Sequence, residues 1–141
     1  MRKYNFILSI CVSILLSGCA SGPKFSGLEE PQPDESIIYY LREPSIAGAT
    51  VFYTIYENGE PVTRLYNGGY YPHHTNPGEK HIEATTEASD ELSLTAKKGE
   101  RYFVKGGLSL GLVVGHPILK VIDENSALKY LQDCKLLEKS E

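Results

Sequence analysis

The chain is poor in cysteine, in positive charge and in long apolar runs, and each shortage excludes something. There are three cysteines in 141 residues. Cys11 lies inside an N-terminal apolar segment, Cys19 ends that segment, and Cys134 stands alone near the C-terminus. Once the first segment is set aside, as argued below, only Cys134 is left as a free thiol, so an internal disulfide framework is excluded. Acidic residues outnumber basic ones, 18 to 14, for a formal net charge of −4. No basic stripe offers a footprint for nucleic acid, and no polybasic cluster offers one for anionic lipid. The apolar run Phe6–Leu16 is shorter than the roughly 20 residues that span a bilayer. The His, Cys, Asp and Glu residues show none of the spacings of a zinc site, and no metal or cofactor is expected.

What is there begins at the N-terminus. Arg2 and Lys3 form a short positive region ahead of Phe6–Leu16, and an apolar stretch of about 7–15 residues in that position is an export signal. Leu16-Ser17-Gly18-Cys19 closes it with small residues before the cysteine. These four residues resemble the lipobox of bacterial lipoproteins. The resemblance implies that residues 1–18 are a signal peptide cut between Gly18 and Cys19, that Cys19 carries a thioether-linked diacylglycerol, and that the new amino terminus is acylated. Two or more acyl chains anchor a protein stably where one does not. Ala20, in place of an aspartate, implies the outer membrane, facing the periplasm, in a host with two membranes. Loss of Arg2 and Lys3 with the signal takes the formal charge from −4 to −6.

Residues 20–35 hold Pro23, Pro31, Pro33, serine and glycine with few apolar groups, which is linker composition. Residues 19–35 therefore read as a lipidated cysteine and flexible tether. From Ser36 the pattern turns to β. Ile37–Leu41 and Ala49–Tyr56 are apolar and aromatic runs suited to a pleated surface. Asn58-Gly59 predicts a tight hairpin into Val62–Tyr66, because both residues tolerate positive φ. Asn67-Gly68-Gly69 breaks that strand before Tyr70-Tyr71, and Asn76-Pro77-Gly78 predicts a type II turn. Ile82 and Ala84, then Leu92, Leu94 and Ala96, alternate with polar residues as half-buried strands do. Lys98-Gly99-Glu100 turns the chain into Tyr102–Val104, a glycine-rich apolar passage fills Gly106–Pro117, and Ile118–Ile122 is a last strand. Only the C-terminus reads as helix: Asp123 caps it, and Ala127, Leu128, Leu131 and Cys134 share one face. The expectation is one domain over 36–137, mainly all-β, an antiparallel Ig-like sandwich of about seven strands with one C-terminal helix. Residues 138–141 are left as a disordered tail.

Several of these segments resemble a known group. Tyr39-Tyr40-Leu41-Arg42, Asn76-Pro77-Gly78 before His81-Ile82, Lys98-Gly99-Glu100-Arg101-Tyr102-Phe103-Val104 and the helix containing Ala127 are similar to the small lipoproteins of the domain-of-unknown-function family 2846. The pattern Pro77-Gly78-x-x-x-Ile82 also resembles β-sandwich modules of the PEGA type. Neither resemblance supplies catalytic residues.

Candidate chemistry is sparse. Gly107-Leu108-Ser109-Leu110-Gly111 matches the G-x-S-x-G nucleophile pattern, which needs a strand, a sharp turn and then a helix; no helical signal follows here. His73, His74, His81 and His116 read as exposed loop histidines, and neighbours on a strand would point to opposite faces. Glu83 and Glu87 are close in sequence, with nothing to set them at the separation a glycosidase needs. Tyrosines cluster in the first half of the domain, and Tyr39, Tyr56, Tyr70 and Tyr71 are candidate binding residues because tyrosine joins apolar area to a polar tip. Val113, in the uncharged passage, is a candidate contact if that passage is exposed and a core residue if it is not. The expectation is a non-enzymatic envelope lipoprotein, held by lipid at Cys19 and binding an envelope protein or glycan. Its alternatives are a small hydrolase using Ser109 and a metal or stress sensor using the histidines.

Overall fold

The computed structural model describes residues 20–110 and 115–141. Gly18, Cys19 and Val113 lie outside the described residues. Nine strands form two sheets, with a single described helix between the eighth and ninth. The first sheet contains β1 (Ser36–Leu41), β4 (Gly69–Thr75), β7 (Arg101–Leu110), β8 (Gly115–Ile122) and β9 (Lys135–Leu136), in the order β8-β7-β1-β4-β9. The second contains β2 (Tyr53–Glu57), β3 (Glu60–Leu65), β5 (Gly78–Thr85) and β6 (Ser89–Ala96), in the order β3-β2-β5-β6. The helix is α1 (Glu124–Leu131).

β1 is the centre of the molecule. All six of its residues are buried, which explains why Ser36-Ile37-Ile38-Tyr39-Tyr40-Leu41 reads as an unbroken run: a strand covered on both faces has no wet side to alternate with. Ile38 and Tyr40 face the second sheet, in a core with Tyr53, Ile55, Leu65, Ile82 and Val104. Ile37, Tyr39 and Leu41 face the other way, onto Ala127, Leu131 and Cys134. The result is three layers: second sheet, first sheet, and a cover of helix and N-terminal strap.

The sandwich is not wholly antiparallel. β1 pairs with β7 in parallel and β4 with β9 in parallel. The chain leaves the first sheet after β1 and again after β4, building hairpins in the second sheet before each return, so β7 arrives beside β1 running the same way. The Asn58-Gly59 hairpin is as the sequence predicts, with φ of 49° and 84°, and Glu57 opposite Glu60. Asn76-Pro77-Gly78 instead carries the chain from β4 in one sheet to β5 in the other, with Gly78 at φ 130°. β2 begins at Tyr53; residues 46–50 turn, because the buried Arg42 donates to the Val51 and Gly48 carbonyls at 2.6 and 2.8 Å and folds the loop over itself.

The segment that reads as a tether lies against the domain. The Ala20 N–H donates to the Asn67 carbonyl, Leu136 N–H to Pro23, and Phe25 N–H to Cys134. Phe25 packs edge-on to Tyr70, with ring centroids 5.4 Å apart, and Leu28 joins the same apolar cluster. Two apolar residues and three backbone bonds suffice to dock a stretch whose composition is otherwise that of a linker. The last residues are also held: Ser140 N–H donates to the Val62 carbonyl and Thr63 Oγ1 to the Glu138 carbonyl. The passage from Gly106 is the β7–β8 hairpin, paired from Phe103/Ile122 to Leu110/Gly115.

α1 starts as expected. The Asp123 side chain accepts from the Ser126 N–H, capping the first turn. Cys134 sits just past the helix, fully buried, with its Sγ toward the Arg42 and Tyr130 carbonyls. Burial pushes its thiol up to about 12, so it stays protonated and unreactive.

Candidate functional site

The strand directions give the sandwich two ends. One receives Ala20 and holds the β1–β2 loop, the Asn67-Gly68 crossing and the β7–β8 hairpin. The other holds the Asn58-Gly59 and Lys98-Gly99 turns and the β4–β5 crossing.

The second end closes on a buried ion pair. Glu57 and Lys80 are 7 % and 6 % exposed and their charged atoms lie 3.0 Å apart. Glu57 also accepts from Thr75 Oγ1 at 2.6 Å and the Tyr40 hydroxyl at 3.2 Å, with His73 Nε2 at 3.4 Å. Burial by itself would raise the Glu57 carboxyl, but bonds from His73, Thr75 and Lys80 outweigh it and hold it down to about 2. Among the described residues no buried side-chain polar atom lacks a partner, so the groups of this cluster satisfy one another.

His73 and His74 point to opposite faces of β4, as neighbours on a strand must. They are strand residues rather than loop residues. His74 bonds through Nδ1 to Glu35 and through Nε2 to Glu29, both at 2.7 Å. Partial burial opposes its charging, but bonds to Glu35 and Glu29 prevail and raise its pKa. His74 thus pins the strap to the first sheet.

The open face of the second sheet is polar. His81 and Glu83 alternate on β5, and Glu91 lies directly across from Glu83 on β6. Their ligand atoms lie within 4.8 Å of one another. Glu83 is held by the Thr85 hydroxyl at 3.0 Å, and His81 Nε2 is 3.6 Å from Glu91. Of the candidate tyrosines, Tyr56 stands half-buried on this face, next to Glu83 in register. Tyr71 is half-buried at the inter-sheet margin, against His73. Tyr39 and Tyr70 are core residues, 1 % and 7 % exposed, and are not available to a partner. The hydroxyl of Tyr39 explains why tyrosine is used there: it accepts the Glu29 N–H at 2.7 Å, so the ring fills the core while its tip secures the strap.

Ser109 lies within β7, directly opposite His116 on β8. The G-x-S-x-G pattern therefore sits in a hairpin, strand to strand, instead of the strand–turn–helix that exposes a nucleophile. Among the described residues no hydrogen bond joins the pair.

At the first end, Ala20, Ser21, Arg64, Tyr66, Leu136 and Lys139 border an open cleft of about 660 Å³. Beside it, Phe52 stacks on Tyr66 at 4.8 Å, and the Asn67 side chain accepts the Ser45 N–H. This face had no signal in the sequence beyond Gly68, which sits at φ 68° where the chain crosses between the sheets. Comparisons with protein-family models, with curated proteins and with solved structures return no match.

Proposed function

We propose that the chain is a membrane-anchored envelope lipoprotein, non-enzymatic, that presents a periplasmic β-sandwich to another envelope protein or a glycan. The observation that carries this reading is Leu16-Ser17-Gly18-Cys19, placed directly after a charged and then an apolar stretch. Among the described residues no helix is long and apolar enough to cross a membrane, so acyl chains on Cys19 are the attachment this reading relies on. For the binding role, the supporting surface is the open face of the second sheet. Its half-buried Tyr56 beside Glu83, with His81 and Glu91 at hand, offers an aromatic platform among hydrogen-bonding groups.

The hydrolase alternative has one observation in its favour, Ser109 facing His116 across the hairpin. Among the described residues no hydrogen bond joins Ser109 to His116 or orients the His116 ring, the arrangement by which a base activates a serine. Loss of any esterase activity in Ser109→Ala would favour it.

Anchoring is tested by mass analysis of the N-terminal peptide and by detergent partitioning. Wild type enters the detergent phase with acyl mass on Cys19, and Cys19→Ser remains aqueous or uncleaved. Equal partitioning of a cleaved Cys19→Ser protein contradicts the proposal.

A further inference from the structure

We infer that the Ala20 end of the sandwich is a bilayer-docking surface, with the loop between β1 and β2 dipping into the lipid headgroup and acyl boundary. This rests on the lipid-anchor reading and goes further, because it fixes how the domain is held. A chain that was free from residue 20 to 35 would let the domain stand off and tumble. Instead Ala20 is 6 % exposed and bonded to Asn67. Consecutive Cα atoms are about 3.8 Å apart, so lipid on Cys19 attaches within one residue of the folded surface. The membrane must then lie against whatever surrounds Ala20.

On one side of it lies the cleft bordered by Arg64, Glu138 and Lys139, and on the other a loop with uncovered apolar groups. Asn67 links the two neighbours: its carbonyl accepts Ala20, and its side chain accepts the Ser45 N–H of the loop. Gly68 packs against Pro44 on the same loop. One residue beyond Ser45, Ile46 is 99 % exposed, and Phe52 at the loop's end is 44 % exposed. Leu110, 61 % exposed, projects past the same end on β7, five residues beyond the Leu41–Lys105 pair that closes β1. Three of the five large apolar side chains exposed among the described residues therefore gather at the end where the anchor attaches. Exposed apolar groups of this kind mark interaction sites, and interfacial anchors bury such residues about 5–10 Å into the headgroup boundary.

The loop is built to present them. Arg42, 3 % exposed, holds the Gly48 and Val51 carbonyls, and Gly48, at φ 70°, lies where a side chain would run into Leu108. The backbone polar groups are thus partly satisfied from within, as lipid contact requires. Charge at this end is mixed and partly paired: Lys105 is matched by Glu43, and Arg64 and Lys139 border the cleft with Glu138 and Glu141.

The test uses the native acylated chain in phosphatidylethanolamine–phosphatidylglycerol vesicles. An environment-sensitive fluorophore is placed at Ile46→Cys, and in a second protein at Asn76→Cys on the opposite end. Cys134 is buried and does not compete for the label. Doxyl-phospholipid should quench the probe at 46 several-fold more than the probe at 76, with a blue shift at 46 alone. Equal, weak quenching at both positions on a protein whose N-terminal peptide carries acyl mass overturns the docking surface while leaving the anchor in place. A peptide without acyl mass overturns the anchor and this inference with it.

Discussion

The two ends of the sandwich solve the same problem, how to finish a stack of β-sheets, with opposite chemistry. At the Asn58-Gly59 end, Glu57 and Lys80 are buried together and Thr75, Tyr40 and His73 surround the carboxylate. At the Ala20 end, a buried arginine is matched by carbonyls and the Tyr53 ring rather than by a carboxylate, and Ile46, Phe52 and Leu110 are left in the open. A protein uniformly solvated has no reason to gather exposed apolar groups at one pole and bury an ion pair at the other. The contrast is what a domain oriented by its chain terminus would show.

Substitutions at the two ends should break this contrast in different ways. The largest effect is expected from Lys80→Met, which leaves the Glu57 carboxylate buried without its cation. A loss of about 3 kcal/mol is expected in denaturant unfolding, and Glu57→Gln combined with Lys80→Met should recover part of it. A similar size is expected from pH. The Glu57 carboxyl is lowered in the folded protein, from a usual value near 4.5 to about 2. Its contribution is complete above pH 4.5 and is lost as pH falls toward 2, on the order of 3 kcal/mol. Glu57→Gln should flatten that part of the stability–pH curve.

At the other end, Arg42→Met should cost about 1–3 kcal/mol by orphaning two half-buried carbonyls. Hydrogen exchange should rise over residues 43–52 and stay unchanged at 57–60; a uniform rise would mean that the arginine supports the whole fold rather than the loop. His74→Gln acts on the strap. The folded pKa of His74 is raised, so its contribution is present below the ordinary value of 6.5 and fades as pH rises through the folded value. The group is partly exposed, and an effect below about 1 kcal/mol is expected, seen as extra proteolysis of residues 20–35 at acid pH that vanishes in alkali. Smallest of all is Ile46→Asp, which should leave the melting temperature in solution unchanged because Ile46 touches little of the fold.

Much of the architecture was legible. The alternation of Ile82 and Ala84, and of Leu92 and Leu94, marks real half-buried strands, and Asp123 caps the helix as its side chain demands. β1 was legible for the opposite reason, its lack of alternation. The strap was not, because proline, glycine and serine read alike in a free linker and in an extended segment laid over a sheet; only Phe25 and Leu28 distinguish them. The parallel pairing of β1 and β7 has no local signal, since it follows from two crossings between sheets. The burial of Tyr39 and Tyr70 was not legible, because a tyrosine in the core, such as Tyr39 with its hydroxyl satisfied internally, has the same sequence signature as one that faces a partner. The Glu57–Lys80 pair joins residues on separate strands of the second sheet, and nothing in their immediate neighbours sets them apart from exposed charges.

The central claim is that the domain rests on the membrane by its Ala20 end. Hydrogen exchange on the acylated protein in vesicles, compared with the Cys19→Ser protein in solution, tests it most directly. The account predicts protection confined to residues 43–52 and 66–68, with 76–79 and 97–100 unchanged. Equal exchange at both ends, or protection confined to 76–79 and 97–100, would contradict it.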